Sequence, residues 1–226
     1  MIKNIVRKGV QIARDPILRR WIVGYLFGVY PGEPAFSPNI PPYLNEMLPL
    51  DRGLSSDATF GVLSSAQPSS SITLSLAGNA LTLEPGDEKG IFHKAFEDFE
   101  SYLALHRFAW LPLIDQTADP AWVNCLWREW RRDFGASEDG WSWHPYTAAE
   151  RAINILRYAH QTGLPGPLED TRDSLISHGI RISRTLEYFG DHHTSNHLAN
   201  NGRGLYLIGL ALNIEKFVDL GRRILE

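Results

Sequence analysis

The chain has 226 residues, 43% of them apolar, and a formal net charge of −4 with its histidines neutral. This length and apolar fraction suit one large domain or two small ones around a buried core. The basic residues are scattered, which argues against a nucleic-acid partner.

The first thirty residues carry apolar and basic side chains at roughly helical spacing. Arg7, Lys8, Arg14, Asp15, Arg19 and Arg20 interrupt the apolar run, and no A-x-A-like cleavage site follows a clean apolar core. Neither a signal peptide nor a membrane span is read, which leaves the cytoplasm as the default compartment. Pro31, Pro34, Pro38, Pro41, Pro42 and Pro49 predict an extended connector over residues 31–54. In "SITLSLAGNALTL" Ile72, Leu74 and Leu76 alternate with polar residues, and Gly78-Asn79 precedes Leu81 and Leu83. That pattern predicts a β-hairpin.

From about residue 91 the period changes. Phe92, Phe96, Phe99, Leu103, His106 and Trp110 fall on one helix face. Asp119-Pro120 reads as an N-cap followed by proline at the first helical position, and Val123, Trp127, Trp130 and Phe134 line the next helix. Cys125, the single cysteine, lies on this helix and reads as a buried, inert thiol; no internal disulfide or Cys-x-x-Cys metal motif is possible. "TAAE" at 147–150 fits a capping box, with Thr147 as cap and Glu150 reaching back. Its helix ends at Gly163, with Pro165 beyond. Leu175, Gly179, Ile182, Leu186 and Phe189 predict another helix. The last long one runs from about Asn196 to Leu212, with a final turn at 215–225. The fold expected is mainly α: a helical region over 91–226, preceded over 1–90 by a helix, the connector and the hairpin. Helices joined by loops suggest antiparallel hairpins stacked in a ring or bundle.

Two stretches carry candidate chemistry. In "HHTSNHLANNGRG", residues 192–204, Asn196, Asn200 and Arg203 share one helix face, and His197 and Asn201 share the adjacent one. Amides and an arginine at a helix N-terminus suit a carboxylate or an oxyanion. Gly202 and Gly204 signal close approach, by a neighbouring helix or a ligand. His192, His193 and His197 lack a carboxylate at His-Glu-x-x-His spacing, so no metal is expected. In "GWSWHPYTAAERAINIL", residues 140–156, Trp141, Trp143, His144 and Tyr146 precede a helix that carries Glu150 and Arg151. The aromatic residues suit either a sugar platform or a plug at the end of a helical ring; among the seven tryptophans of the chain core packing is the commoner use. Arg151 suits pairing with a carboxylate of the protein or of a substrate.

"SNHLANNGRGLYLIGLAL" resembles the Asn-His-x-x-x-Asn helix of heparinase II/III-like polysaccharide lyases and their alginate-lyase relatives. "WSWHPYTAAERAINIL" resembles that family's Trp-x-x-Tyr-x-x-x-x-Arg-x-x-Asn segment, through Trp143, Tyr146, Arg151 and Asn154. "FHKAFEDFESYLALHRFAWLPLI" looks like its first toroid helix. The resemblance covers about residue 90 to the end. It implies the N-terminal part of an incomplete (α/α) toroid, and β-elimination on a uronate-containing polysaccharide. Asn196 and His197 match the residues that neutralise the uronate carboxylate. Trp143, Tyr146, Arg151, His193, Asn200 and Arg203 are the candidate substrate-binding residues; no cofactor or metal is expected. The family places a catalytic tyrosine some tens of residues after the Asn-His pair, then a second histidine and a β-sandwich. Tyr206 is too close to Asn196 to be that tyrosine, so this stretch alone is expected to have little lyase activity. Two alternatives stand beside it. One is a non-catalytic protein of acidic-polysaccharide binding or exopolysaccharide synthesis. The other is a glycoside hydrolase using two of Asp115, Glu150 and Asp191.

Overall fold

A computed structural model describes residues 12–14, 19, 22–24, 26–27, 40–44, 46–48, 50, 54–64, 66–115, 118–136, 139–188 and 196–226. Most of the expected N-terminal helix lies outside these residues, as do Phe189, Asp191, His192 and His193. The described fold is mainly helical with one two-stranded antiparallel sheet.

The sheet is the expected hairpin. Strand β1 (Ile72–Ser75) pairs with β2 (Ala80–Leu83), Ile72 opposite Leu83 and Ser75 opposite Ala80. Ile72, Leu74 and Leu83 face the core, while the Thr73 and Thr82 hydroxyls bond across the exposed face at 3.0 Å. Gly78 takes φ +86° in the turn, a conformation that glycine adopts without a Cβ clash. Asn79 then donates from Nδ2 to the Asp98 carboxylate and the Ser101 hydroxyl, both at 2.6 Å. The hairpin is thereby tied to the start of helix α1 (Phe99–His106).

That helix is shorter than the apolar spacing suggests. Residues Ile91–His93 form a single 3-10 turn, and the α-helix begins only after Asp98, whose Oδ1 accepts from the Ser101 N–H at 2.8 Å. Phe108, at φ +51°, ends it before Trp110. Phe92, Leu103, His106 and Trp110 are buried, but Phe96 is half-buried and Phe99 exposed, so the apolar pattern overstated both helix length and the extent of the buried face.

Helix α2 (Ala121–Phe134) starts where expected: Asp119 Oδ1 accepts from the Ala121 N–H at 2.9 Å. Trp122, Trp127 and Trp130 are fully buried on it, the last two stacked 5.6 Å apart and 7° from parallel. Cys125 is buried, as expected, and burial pushes its thiol pKa up. Helix α3 (Pro145–Thr162) departs from the capping-box expectation. It begins three residues earlier, with His144 as cap and Pro145 in the first turn, which needs no N–H partner there. Thr147 is buried inside the helix and Glu150 faces Arg203 instead. The helix ends at Gly163, φ +112°, as its sequence predicts.

Helix α4 (Leu168–Arg184) is followed by α5 (Asn196–Leu212) and α6 (Glu215–Leu225). Helix α5 packs against α3, α4 and α6. Glycines set how closely: a Cβ on Gly221 would lie 2.5 Å from the Tyr206 nitrogen and 2.7 Å from the Gly202 oxygen, and one on Gly204 would lie 2.8 Å from the Ala149 Cβ. The close approach signalled by Gly202 and Gly204 is therefore made by helices α6 and α3.

The connector and the stretch that follows it contribute more than reach. Leu44, Leu50 and Leu63 join the hairpin and the helices in one apolar cluster. Residues 61–63 run beside Leu164 in a short parallel bridge, Leu63 N–H donating to the Leu164 carbonyl at 2.9 Å.

Candidate active site

The first turn of α5 meets the first turn of α3 and the segment after α4 around one buried carboxylate, Glu187. This residue is 5% exposed. Its Oε1 accepts from His197 Nδ1 at 2.6 Å and lies 3.5 Å from His144 Nε2. Its Oε2 accepts from Asn201 Nδ2 at 3.2 Å, and the Asn201 side-chain oxygen accepts from the Glu187 N–H at 3.0 Å. A carboxylate removed from water is tolerable only with such partners.

Above this network a cleft of about 380 Å³ opens. Phe99, Trp141 and Tyr146 supply aromatic walls, and Arg107, His144 and His197 supply nitrogen groups. The Arg107 guanidinium sits 5.0 Å over the Tyr146 ring and pairs with Glu100 at 3.3 Å. Asn154 fixes the turn bearing Arg107 by donating to its carbonyl at 3.0 Å. Tyr146 contacts the His197 ring at 4.6 Å, and Trp141 stacks on His144 at 5.2 Å, 10° from parallel.

The two histidines on Glu187 are shifted in opposite directions. His144 is pushed down to about 4, chiefly by burial, and its Nδ1 accepts from the Tyr146 N–H as the helix cap. That bond requires an unprotonated Nδ1. His197 is raised above the ordinary imidazole value, chiefly by its hydrogen bond to Glu187. Burial raises the Tyr146 phenol pKa, which keeps it protonated.

The candidate residues divide. His197 and Tyr146 line the cleft. Asn200 is buried and donates to the Tyr146 carbonyl at 3.4 Å. Arg203 is exposed, 3.7 Å from Glu150. Asn196 is exposed at the first position of α5. His193 lies outside the described residues. Trp143 and Arg151 are in the core, 1% and 0% exposed, with no side-chain surface to offer a polymer. Among the described residues Arg151 pairs with no carboxylate: Nε donates to His178 Nε2 at 2.8 Å, and Nη1 to the carbonyls of His106 and Ser142 at 2.9 Å each. Its guanidinium carbon lies 3.7 Å from the Trp130 ring centre, a cation–π contact that offsets the burial of the charge.

Sequence reasoning did not single out Glu187 or Arg107. Glu187 had one signal, an isolated acid in the apolar stretch "TLEYF". Arg107 had none, because the helix was expected to run past it. A larger hollow of about 980 Å³, between α3, α5 and the Leu111–Leu113 turn, is walled mainly by apolar side chains and includes Asp115 but neither Glu150 nor any candidate residue above. Among the described residues, no three His, Cys, Asp or Glu side chains are placed to share a metal ion, and no helix is long and apolar enough to cross a membrane. Compared with protein-family models, curated proteins and solved structures, the chain matches none.

Proposed function

We propose that the chain is the substrate-recognising helical part of a uronate-polysaccharide lyase, the N-terminal portion of an incomplete (α/α) toroid. The observation that carries this reading is the cleft itself: Arg107 and His197, the latter hydrogen-bonded to the Glu187 carboxylate, face it together with Phe99, Trp141 and Tyr146. Cations complement a uronate carboxylate, and aromatic faces stack on sugar rings. β-Elimination needs that carboxylate neutralised, so that the adjacent C5 proton becomes acidic. A base must then take the proton, and an acid must protonate the departing glycosidic oxygen. His197, with Asn196 beside it, serves the first requirement by donating to the carboxylate and to the enediolate-like charge that develops. Residues elsewhere in the complete protein serve the other two.

Asn196→Ala, made in the complete protein, is expected to lower turnover by about a hundredfold or more, the usual loss for one oxyanion donor, with unchanged thermal unfolding. Turnover is read from the absorbance of unsaturated uronate. Activity that survives the change removes Asn196 from the mechanism.

The non-catalytic reading is favoured by one observation. Asn196 is not among the residues lining the cleft, whereas the binding groups are. The two readings part on one measurement, since only the lyase releases unsaturated ends from a uronate polymer that the cleft binds.

A further inference from the structure

We infer that Glu187 is a positioning residue that holds His197 as the cleft's switchable cation, so that acidic-saccharide binding is gated by the protonation of His197. The gate rests on the acidic-saccharide reading of the cleft. Two imidazoles converge on one carboxylate oxygen, at 2.6 Å and 3.5 Å, and the geometry assigns them different jobs. His144 is committed as a neutral ring by its cap to the Tyr146 N–H and lies flat against Trp141. The shorter bond, and the side chain 42% exposed at the cleft, belong to His197. Asn201 locks the carboxylate that charges it, from both the backbone and the side-chain end.

Among the described residues, the surrounding groups come from four elements. Arg107, at the end of α1, works against the imidazolium; it is itself paired with Glu100 and lies over Tyr146. His144 and Tyr146 flank His197 from the start of α3. Glu150 of α3 and Arg203 of α5 form their own ion pair. Glu187 is the anion in direct contact with His197. When His197 loses its proton, the neutral ring keeps Nδ1–H on Glu187 and carries a lone pair on Nε2. The cleft then loses a cation and repels a carboxylate where it had attracted one.

The test follows the His197 ring by NMR across pH in the wild-type chain and in Glu187→Gln, with the resonance assigned from His197→Gln. Trimers of mannuronate, guluronate, glucuronate and galacturonate are titrated in parallel, with their neutral methyl esters as controls. In the wild type, His197 is expected to titrate above the ordinary imidazole value. Affinity for a trimer is expected to fall about tenfold or more between about pH 5.5 and about pH 8.5, the loss of one charge-assisted hydrogen bond. Binding of its methyl ester should stay flat. In Glu187→Gln both midpoints are expected to move down together by about one pH unit or more. A His197 midpoint that the substitution leaves in place, or a binding midpoint that does not follow it, overturns the inference. If Glu187→Gln does not fold, the wild type decides: a His197 midpoint at or below the ordinary value overturns it. If no trimer binds at any pH, the acidic-saccharide reading falls and the gate with it, while the ring titration still decides whether Glu187 holds the proton on His197.

Discussion

Arg107 and Arg151 show how burial separates two roles that one residue type can fill. Arg151 is sealed beneath Trp130 and Trp143, and it satisfies two carbonyls and His178. Arg151→Ala is expected to cost about 3–5 kcal/mol in urea unfolding, because it leaves a cavity and unpaired acceptors in the core. Arg107 lies at the cleft, where it pairs with the exposed Glu100 carboxylate, lies over the Tyr146 ring and makes a long hydrogen bond to the Thr147 hydroxyl at 3.5 Å. Arg107→Ala is expected to change stability by less than about 1 kcal/mol while weakening uronate binding about tenfold, measured by calorimetry. The sequence made Arg151 visible as part of a motif. It could not give the depth of that residue, because helical spacing fixes the face on which a side chain lies and not what covers it. Glu187 stayed hidden for the complementary reason: its three partners come from residues 144, 197 and 201, none within its own stretch of chain.

At the scale of elements, the helix pair α5–α6 depends on near-contact of backbones. Gly221→Ala is expected to destabilise the chain by about 1–3 kcal/mol, since the new methyl meets the Tyr206 backbone at 2.5 Å and cannot be relieved by turning a side chain. Thermal unfolding followed by helical circular dichroism reads this directly. Gly78→Ala in the hairpin turn would strain a φ of +86° but meets no atom within 4 Å, so a smaller loss, about 1 kcal/mol, is expected there. Helix α5 was legible because its polar head and apolar body are both written locally in the sequence. The start of α3 was not, because two local signals competed. The Thr147–Glu150 box lost to His144 and Pro145, with Glu150 drawn to Arg203 from another helix. The overlong α1 has the same origin: buried aromatics recur at helical spacing across a turn that Asp98 and Phe108 break.

For the molecule as a whole, buried histidines set the response to acid. His106 is pushed down to about 3 and His178 well below its ordinary value, both chiefly by burial, and His144 to about 4. The unfolded chain binds protons at these sites from about pH 6.5 downward, while the folded chain does not. Stability is therefore expected to fall as pH drops from about 6.5 towards about 4, by up to about 1.4 kcal/mol per pH unit for each such histidine. His197 has the opposite sign. Its raised value contributes stability at low pH that is lost as pH rises through its folded pKa. Urea unfolding at a series of pH values measures the sum, and a flat profile below pH 6.5 would refute the neutral, buried state assigned to the three rings. The mainly helical fold and the hairpin were legible from periodicity. The joining of Leu44 and Leu50 to the helical core was not, because proline-rich sequence reports local extension and says nothing of distant partners. The glycines of α5 and α6 also bear on how relatives of this chain should be compared. In any relative that keeps this helix pair, Gly202, Gly204, Gly209 and Gly221 are constrained by backbone proximity. His197, a few positions away, faces the cleft. An invariant block across this region would thus mix packing constraints with those of the cleft, and only drift at its polar positions would report on the cleft alone.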